Sequence, residues 1–122
     1  MALRANAGRL LVHRVASEIA RDAAILARSF RGPAALERGD QLVRAACSIT
    51  SNIAEACGRG TVPEFRQFVI YARGSAHELR SQIQVATLLD PSQRRPCRSL
   101  ESRVTLVIKM LGRLHEHPPP ER

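Results

Sequence analysis

The side chains best suited to acid–base or metal chemistry are Glu55 and Glu78, which the apolar pattern places on different helices. Paired carboxylates that hold two iron ions in helix bundles come with Glu-x-x-His motifs. His77 instead directly precedes Glu78, so these two side chains point about 100° apart on a helix. His115 and His117 could hold a metal ion only at a fraying, proline-rich end. We therefore expect no catalytic residues, no metal ion and no cofactor, and we predict that the protein is not an enzyme.

The three cysteines, Cys47, Cys57 and Cys97, also lack the spacing of a catalytic or metal-binding set. An odd number, without a Cys-x-x-Cys pair or a histidine at ligand spacing, argues against both a disulfide framework and a zinc site. Reduced thiols in a reducing cytoplasm fit this pattern best. The Gly-Arg-Gly sequence at 58–60 is too short for a phosphate-binding loop, because no Gly-Lys-Ser/Thr and no strand accompany it.

Arginine is the residue whose number and spacing favour a binding role. The chain has 122 residues and a net charge of +8, and all but one of its 19 Lys and Arg residues are Arg. Two sets recur every seven residues, which on a helix is only about 20° short of two full turns. Ladder 1 is Arg14, Arg21 and Arg28, and ladder 2 is Arg59, Arg66, Arg73 and Arg80. We predict that ladder 1 lies opposite the apolar face of its helix, and that ladder 2 lies about 100° from its apolar centre.

Three roles for the ladders remain open. Arginine binds phosphate groups bidentately, so the ladders could contact nucleic acid. They could also form salt bridges to a neighbouring subunit, or they could be solvated, with Glu18 and Asp22 beside ladder 1. Aromatic residues are only 3% of the chain, which disfavours a surface that binds single strands by stacking bases.

Four segments of helical periodicity must position these side chains. We expect helices at about 9–29, 36–57, 63–89 and 93–115. Gly58 and Gly60 end the second helix, where a left-handed cap costs a glycine little. Residues 61–64 have the spacing of a capping box with a first-turn proline, and Pro96 fits only the first turn of the fourth helix or the residues before it. The expected apolar positions are Leu11, Val12, Val15, Ile19, Ala23, Leu26, Phe30, Leu42, Ala46, Ile49, Ile53, Ala56, Phe65, Val69, Ala72, Ala76, Leu79, Ile83, Ala86, Leu100, Val104, Val107, Leu111 and Leu114.

Four amphipathic helices with short connections predict an all-α protein, an antiparallel up-down-up-down four-helix bundle. We assign residues 1–115 to this single domain and 116–122 to a disordered proline-rich tail. The first 20 residues lack the long apolar stretch of a signal peptide. No apolar run approaches the ~20 residues of a membrane span. We therefore expect a cytoplasmic protein without a membrane partner.

Polar residues also occur beside the apolar seams of the second and third helices. They are Ser51, Asn52 and Glu55, next to Ser48, on the second helix, and Ser75, Glu78 and Gln82 on the third. Ser and Asn are poor mid-helix residues, because their side chains compete for backbone hydrogen bonds. We expect the two strips to meet in a hydrogen-bond network between helices or between subunits.

The segment 41–59, with SITSNIAEACGR, resembles the second-helix signature of the bacterial four helix bundle protein family, also called the 23S ribosomal RNA intervening-sequence protein family. Glu64-Phe65-x-x-Phe68 and ARGSAHELRSQ at 72–82 resemble its third-helix signature, and IKMLGRL at 108–114 is similar to its usual close. The resemblance covers most of the chain. Thr50 and Ala56 depart from it, since the family often has Pro and Gly there.

The resemblance implies a four-helix bundle that assembles as a homopentamer. It also implies kinship with the accessory variability proteins of diversity-generating retroelements, which are basic pentamers that partner a reverse transcriptase and bind nucleic acid. No catalytic residues carry over. The signature positions present here are Ser51, Asn52, Ile53, Ala54, Glu55, Gly58, Arg59, Gly74, Ser75 and Glu78.

We therefore expect a non-enzymatic, basic oligomer that binds RNA, DNA or a nucleic-acid enzyme such as a reverse transcriptase through its arginine faces. A high positive charge attracts polyanions over distances of a Debye length. The alternative is a structural or protein-interaction ring that does not bind nucleic acid.

Overall fold

The computed structural model describes residues 10–120. Its four helices are α1 (Leu11–Ala27), α2 (Ala35–Cys57), α3 (Val62–Leu89) and α4 (Arg94–Glu116), with a 3-10 turn at Pro91–Gln93 before α4. No strand occurs among these residues. The all-helical fold predicted from the apolar pattern is thus confirmed, and four helices around one core are consistent with a four-helix bundle.

The helix ends differ from the expected bounds by one or two residues. The expected start of the first helix at Arg9 lies outside the described residues, and α1 ends at Ala27 because the chain turns there. Pro96 lies in the first turn of α4, as predicted. In the tail, residues 117–120 are not helical, and 121–122 lie outside the described part of the chain.

The caps of α2 and α3 are set by short polar and small residues. Thr61 caps α3 as predicted: its Oγ1 accepts from Glu64 N at 3.3 Å and donates to Glu64 Oε1 at 2.9 Å. Pro63 occupies the first turn, where its missing N–H costs nothing. The expected left-handed glycine cap of α2 is wrong, because Gly58 has φ −85° and its N–H bonds to α2 carbonyls in a right-handed turn.

The connection between α1 and α2 is held by its own side chains. Gly32 (φ 86°) and Ala34 (φ 50°) adopt left-handed conformations that reverse the chain. Arg38 then donates to Pro33 O at 2.8 Å and to Arg31 O at 2.7 Å. This arginine therefore satisfies turn carbonyls and is not a free surface cation.

The core follows the four-three spacing of the apolar residues. Every apolar position predicted on α2 and α3 is buried, and on α4 only Leu114 is partly exposed. On the first segment Leu11 is an exception at 61% exposed, and Val15 and Phe30 are only partly buried. The spacing on α1 runs through Val12, Ala16 and Ile19, all buried, so Leu11 lies one residue, or about 100°, away from the seam.

Each helix packs against two others around this core. The end of α1 approaches the start of α2 closely, since a Cβ added at Gly39 would lie 3.3 Å from the Ala27 Cβ. Between α1 and α4, Arg103 Nη1 donates to Asp22 Oδ2 at 2.6 Å. No helix in the described part of the chain is long and apolar enough to cross a membrane.

Candidate anion-binding face

The part of ladder 2 that lies on α3 faces α4. Arg66 Nε donates to His115 O at 2.9 Å. A Cβ added at Gly112 would lie 3.8 Å from Arg73 Nη1. The flank position predicted from the helical wheel therefore borders the groove between α3 and α4.

Lys109 is an exposed cation of α4. Gln84 Nε2 donates to Glu101 Oε2 at 2.8 Å, which fixes the register of α3 and α4 at their other end. In that register Lys109 is level with the segment between Arg73 and Arg80. We call Arg73, Arg80 and Lys109 together the α3–α4 basic face. None of the three forms an ion pair within residues 10–120.

The arginines of ladder 2 differ in whether their side chains already form hydrogen bonds within the protein. Arg66 is partly buried and satisfies a carbonyl in the last turn of α4, where a cation also complements the helix dipole. Arg80 Nη2 lies 3.2 Å from His77 Nδ1, and Arg73 is exposed. Arg73 and Arg80 are thus available to an anion, whereas Arg66 supports the fold.

Arg59 does not continue the stripe that its seven-residue spacing predicted. It follows the end of α2, in the connection to α3, so helical geometry does not relate it to Arg66. Its Nη2 donates to Glu55 Oε2 at 2.9 Å, and its guanidinium lies 4.4 Å from the centroid of the Phe68 ring. Phe68 is two residues, or about 200°, from Arg66 on α3, so Arg59 contacts the opposite flank.

Ladder 1 is partly neutralised by a carboxylate. Asp22 accepts from Arg21 Nε at 3.0 Å and from Arg103 Nη1 at 2.6 Å. The bond from Arg21, and then the bond from Arg103, hold the pKa of the Asp22 carboxyl below its ordinary value. Arg14 and Arg28 are exposed and form no ion pair within the described residues. Ladder 1 is therefore two separated cations around one paired arginine.

The cations of α4 do not follow the seven-residue repeat of the two ladders. They are Arg94, Arg95, Arg98, Arg103, Lys109 and Arg113, against Glu101 and Glu116 as the acidic residues of the helix. Their spacing is irregular, so only the charge density of the segment could have indicated them. We call Arg94, Arg95 and Arg98 the α4 arginine cluster.

Within residues 10–120, the two polar strips contact each other through one hydrogen bond, between Ser48 and Ser75. The hydroxyls of Ser48 and Ser75 are hydrogen-bonded at 2.8 Å between α2 and α3. Asn52 Nδ2 donates to Ser48 O at 2.8 Å and to Ser48 Oγ at 3.1 Å. Of the other predicted members, Glu55 pairs with Arg59, Gln82 Nε2 donates to Glu78 Oε1 at 3.3 Å, and Ser51 is exposed.

A second set of residues at four-three spacing follows the flank of α3 next to α2. We call it the α3 outer seam: Phe68, Tyr71, Ser75, Glu78, Gln82, Val85 and Leu89. Three of its members with large side chains are exposed, Tyr71 at 48% and Val85 and Leu89 at 44% each, whereas Phe68 is partly buried against the core. The Phe68 and Tyr71 rings meet edge to face at 5.4 Å. This helix therefore has one seam in the core and another on the surface.

The cysteines show no arrangement for chemistry. Cys47 is exposed, Cys57 is partly buried and Cys97 is buried, and all three are free. Burial raises the pKa of the Cys57 and Cys97 thiols, which keeps them protonated. Within residues 10–120, no group of three or more His, Cys, Asp or Glu side chains could hold a metal ion.

The fold and this surface define a small, basic, all-helical protein with exposed, unpaired cations on several helices of the described part of the chain, α3 and α4 among them. The model of the 23S rRNA-intervening sequence protein family matches residues 9–113, and the chain belongs to that family. No curated protein sequence matches the chain.

Proposed function

We propose that the protein binds the phosphate backbone of RNA or DNA through the α3–α4 basic face, without catalysing a reaction. The observation that carries the proposal is that Arg73, Arg80 and Lys109 lie at a similar level of the neighbouring helices α3 and α4, and that no carboxylate pairs with them within the described residues. Guanidinium and ammonium groups that are held on a rigid helix pair retain their charge for a polyanion. The proposal extends to a nucleic-acid enzyme such as a reverse transcriptase, as the resemblance to retroelement accessory proteins implies.

Loss of these charges provides the direct test. The variant R73Q/R80Q/K109Q is compared with R14Q/R28Q/R44Q, which removes three exposed cations from α1, α2 and the connection between them. Fluorescence anisotropy with unrelated RNA and DNA oligonucleotides should show weaker binding in the first variant and near wild-type binding in the second. Equal losses in both variants would mean that net charge, and not this face, attracts the nucleic acid.

We also propose that the protein is a homo-oligomer, a pentamer as the family resemblance implies, assembled through the α3 outer seam. Tyr71, Val85 and Leu89 lie exposed along it. Exposed apolar residues at heptad spacing are the pattern of helices that pack on another helix. A ring that forms but binds no nucleic acid would favour the structural alternative.

The same proposal includes an antiparallel up-down-up-down bundle in a cytoplasmic protein. Arg66 at the start of α3 bonds to His115 at the end of α4, and Gln84 near the end of α3 bonds to Glu101 near the start of α4. Opposite directions for these neighbours explain both contacts. The odd number of cysteines, without a Cys-x-x-Cys pair, supports a reducing cytoplasm.

A further inference from the structure

The α4 arginine cluster lines a concavity of its own. Arg94, Arg95 and Arg98 share it with Ser92, Ser99 and Ser102, and its volume is about 610 Å³. All six residues are exposed, and no carboxylate lines the concavity. It is a shallow surface built only from cations and hydroxyls.

The three guanidinium groups have no partner that neutralises them within the described residues. None forms an ion pair or a side-chain hydrogen bond there, in contrast to Arg21, Arg59 and Arg103. Like charges three and four residues apart on a helix repel one another. The cluster is therefore a local excess of positive charge that a bound anion would relieve.

The acidic residues near the α4 arginine cluster, Asp90 and Glu101, already accept hydrogen bonds from other residues. Asp90 Oδ1 accepts from the backbone N–H and the hydroxyl of Ser92. Glu101 accepts from Gln84 on α3. The hydroxyls of Ser99 and Ser102 form no hydrogen bond within the described residues, so they are free to donate to a ligand.

We propose that this cluster binds a phosphomonoester, the 5′-phosphate at the end of a nucleic-acid strand. A phosphomonoester carries about −1.5 to −2 charges at pH 7 and presents three acceptor oxygens, whereas a backbone phosphodiester carries one charge. Three guanidinium forks and two free hydroxyls match the terminal group better, because arginine donates to phosphate bidentately.

The position of the cluster fits a strand that continues over the α3–α4 basic face. A second concavity shares Arg98 and Ser102 with the first and extends along α4 to Lys109, and the Glu101 carboxylate that bonds to Gln84 also lines it. At ~1.5 Å per residue, Arg98 and Lys109 are about 16 Å apart along the helix. This inference rests on the proposed function for the strand, although the phosphate site can be tested without one.

The main test compares one oligonucleotide with a 5′-phosphate and with a 5′-hydroxyl. Wild-type protein should bind the phosphorylated form about tenfold more tightly, the effect of one or two charge-assisted hydrogen bonds. R95Q/R98Q should lose this preference, and its affinity for the 5′-hydroxyl form should change no more than in the matched R14Q/R28Q control. Equal wild-type affinity for the two forms would overturn the proposal.

A titration with inorganic phosphate separates failure of this site from failure of the proposed function. Arginine side-chain NMR signals of the wild-type protein should shift and saturate with phosphate, but not with chloride at the same ionic strength. R95Q/R98Q should abolish the saturating shift, and R73Q/R80Q/K109Q should retain it. Linear, unsaturated shifts in the wild type would overturn the phosphate site, whether or not the protein binds oligonucleotides.

Discussion

The role of each arginine in this protein depends on the groups that its side chain contacts. Arg38 closes a turn, Arg66 satisfies a helix carbonyl and Arg59 lies on an aromatic ring. Arg73 has none of these contacts and is exposed. Each of these guanidinium groups keeps its charge, but only the last kind has all of its N–H donors available to an external ligand, so formal charge alone overstates the binding surface.

The carboxylate shared by Arg21 and Arg103 has a definite effect on stability. The pKa of Asp22 is lowered from its ordinary value of 3.8, so the folded state favours the charged form. Its contribution is complete above the unfolded pKa and is lost as the pH falls through the folded pKa. D22N should therefore lower the free energy of unfolding by up to about 1 kcal/mol at neutral pH.

The measurement is urea denaturation of wild type and D22N at about pH 7 and about pH 2. The difference between the two proteins should shrink as the pH falls through the lowered pKa of Asp22, because protonation removes the charge that D22N lacks. E18Q, at an exposed neighbour of the pair, serves as the control and should behave like wild type. A D22N effect that is unchanged in acid would show that the ion pair is not its cause.

At the scale of elements, α2 and α3 are joined by a small polar contact beside an apolar seam. The hydroxyls of Ser48 and Ser75 are 2.8 Å apart. A double-mutant cycle with S48A and S75A should give a coupling energy of about 1 kcal/mol. The cycle on Asn52 and Glu78 should give much less, because each bonds within its own helix. Strong coupling in the second cycle and none in the first would contradict this assignment.

Substitutions at two glycines, one in a close contact between helices and one on an open surface, test the described packing. A Cβ added at Gly39 would lie 3.3 Å from the Ala27 Cβ, whereas one added at Gly74 meets nothing within 4 Å. G39V should destabilise the protein by about 1–3 kcal/mol through overpacking. G74A should stabilise it by about 0.5–1 kcal/mol, because alanine is the better helix former. Thermal and urea denaturation would measure both, and the opposite signs would refute the described packing.

The apolar pattern predicted the helices well because burial of one face is a local property of each segment. All seven seam positions of α3 are buried as predicted. The direction in which Arg59 points could not be predicted in the same way. The non-helical connection before Val62 means that helical geometry does not relate Arg59 to the residues of α3. The cations of α4 follow no repeat. A seven-residue spacing therefore could not indicate them.

At the scale of the whole molecule, the proposed assembly surface and the proposed nucleic-acid surface lie on different sides of α3. The α3 outer seam lies on the flank next to α2, as the bond between Ser48 and Ser75 shows, and the α3–α4 basic face lies on the other flank. A ring built through the seam would therefore leave its cations accessible. Such a ring would repeat the same basic face once per subunit.

Mass in solution tests the assembly. Native mass spectrometry should report a single oligomer for the wild type, five copies if the family resemblance holds. V85E/L89E places charges in the seam and should give a folded monomer by circular dichroism and mass. R73Q/R80Q/K109Q, on the other flank, should assemble normally. A monomeric wild type would contradict the proposed oligomer.

The salt dependence of nucleic-acid binding tests the central claim most directly. The slope of log K against log salt concentration counts the phosphates neutralised on binding, with about 0.7–0.9 per contact. If Arg73, Arg80 and Lys109 contact phosphates, the slope of R73Q/R80Q/K109Q should be shallower than that of the wild type by about 2–3 units. The R14Q/R28Q/R44Q control should keep the wild-type slope. A triple variant with an unchanged slope would contradict binding through the α3–α4 basic face.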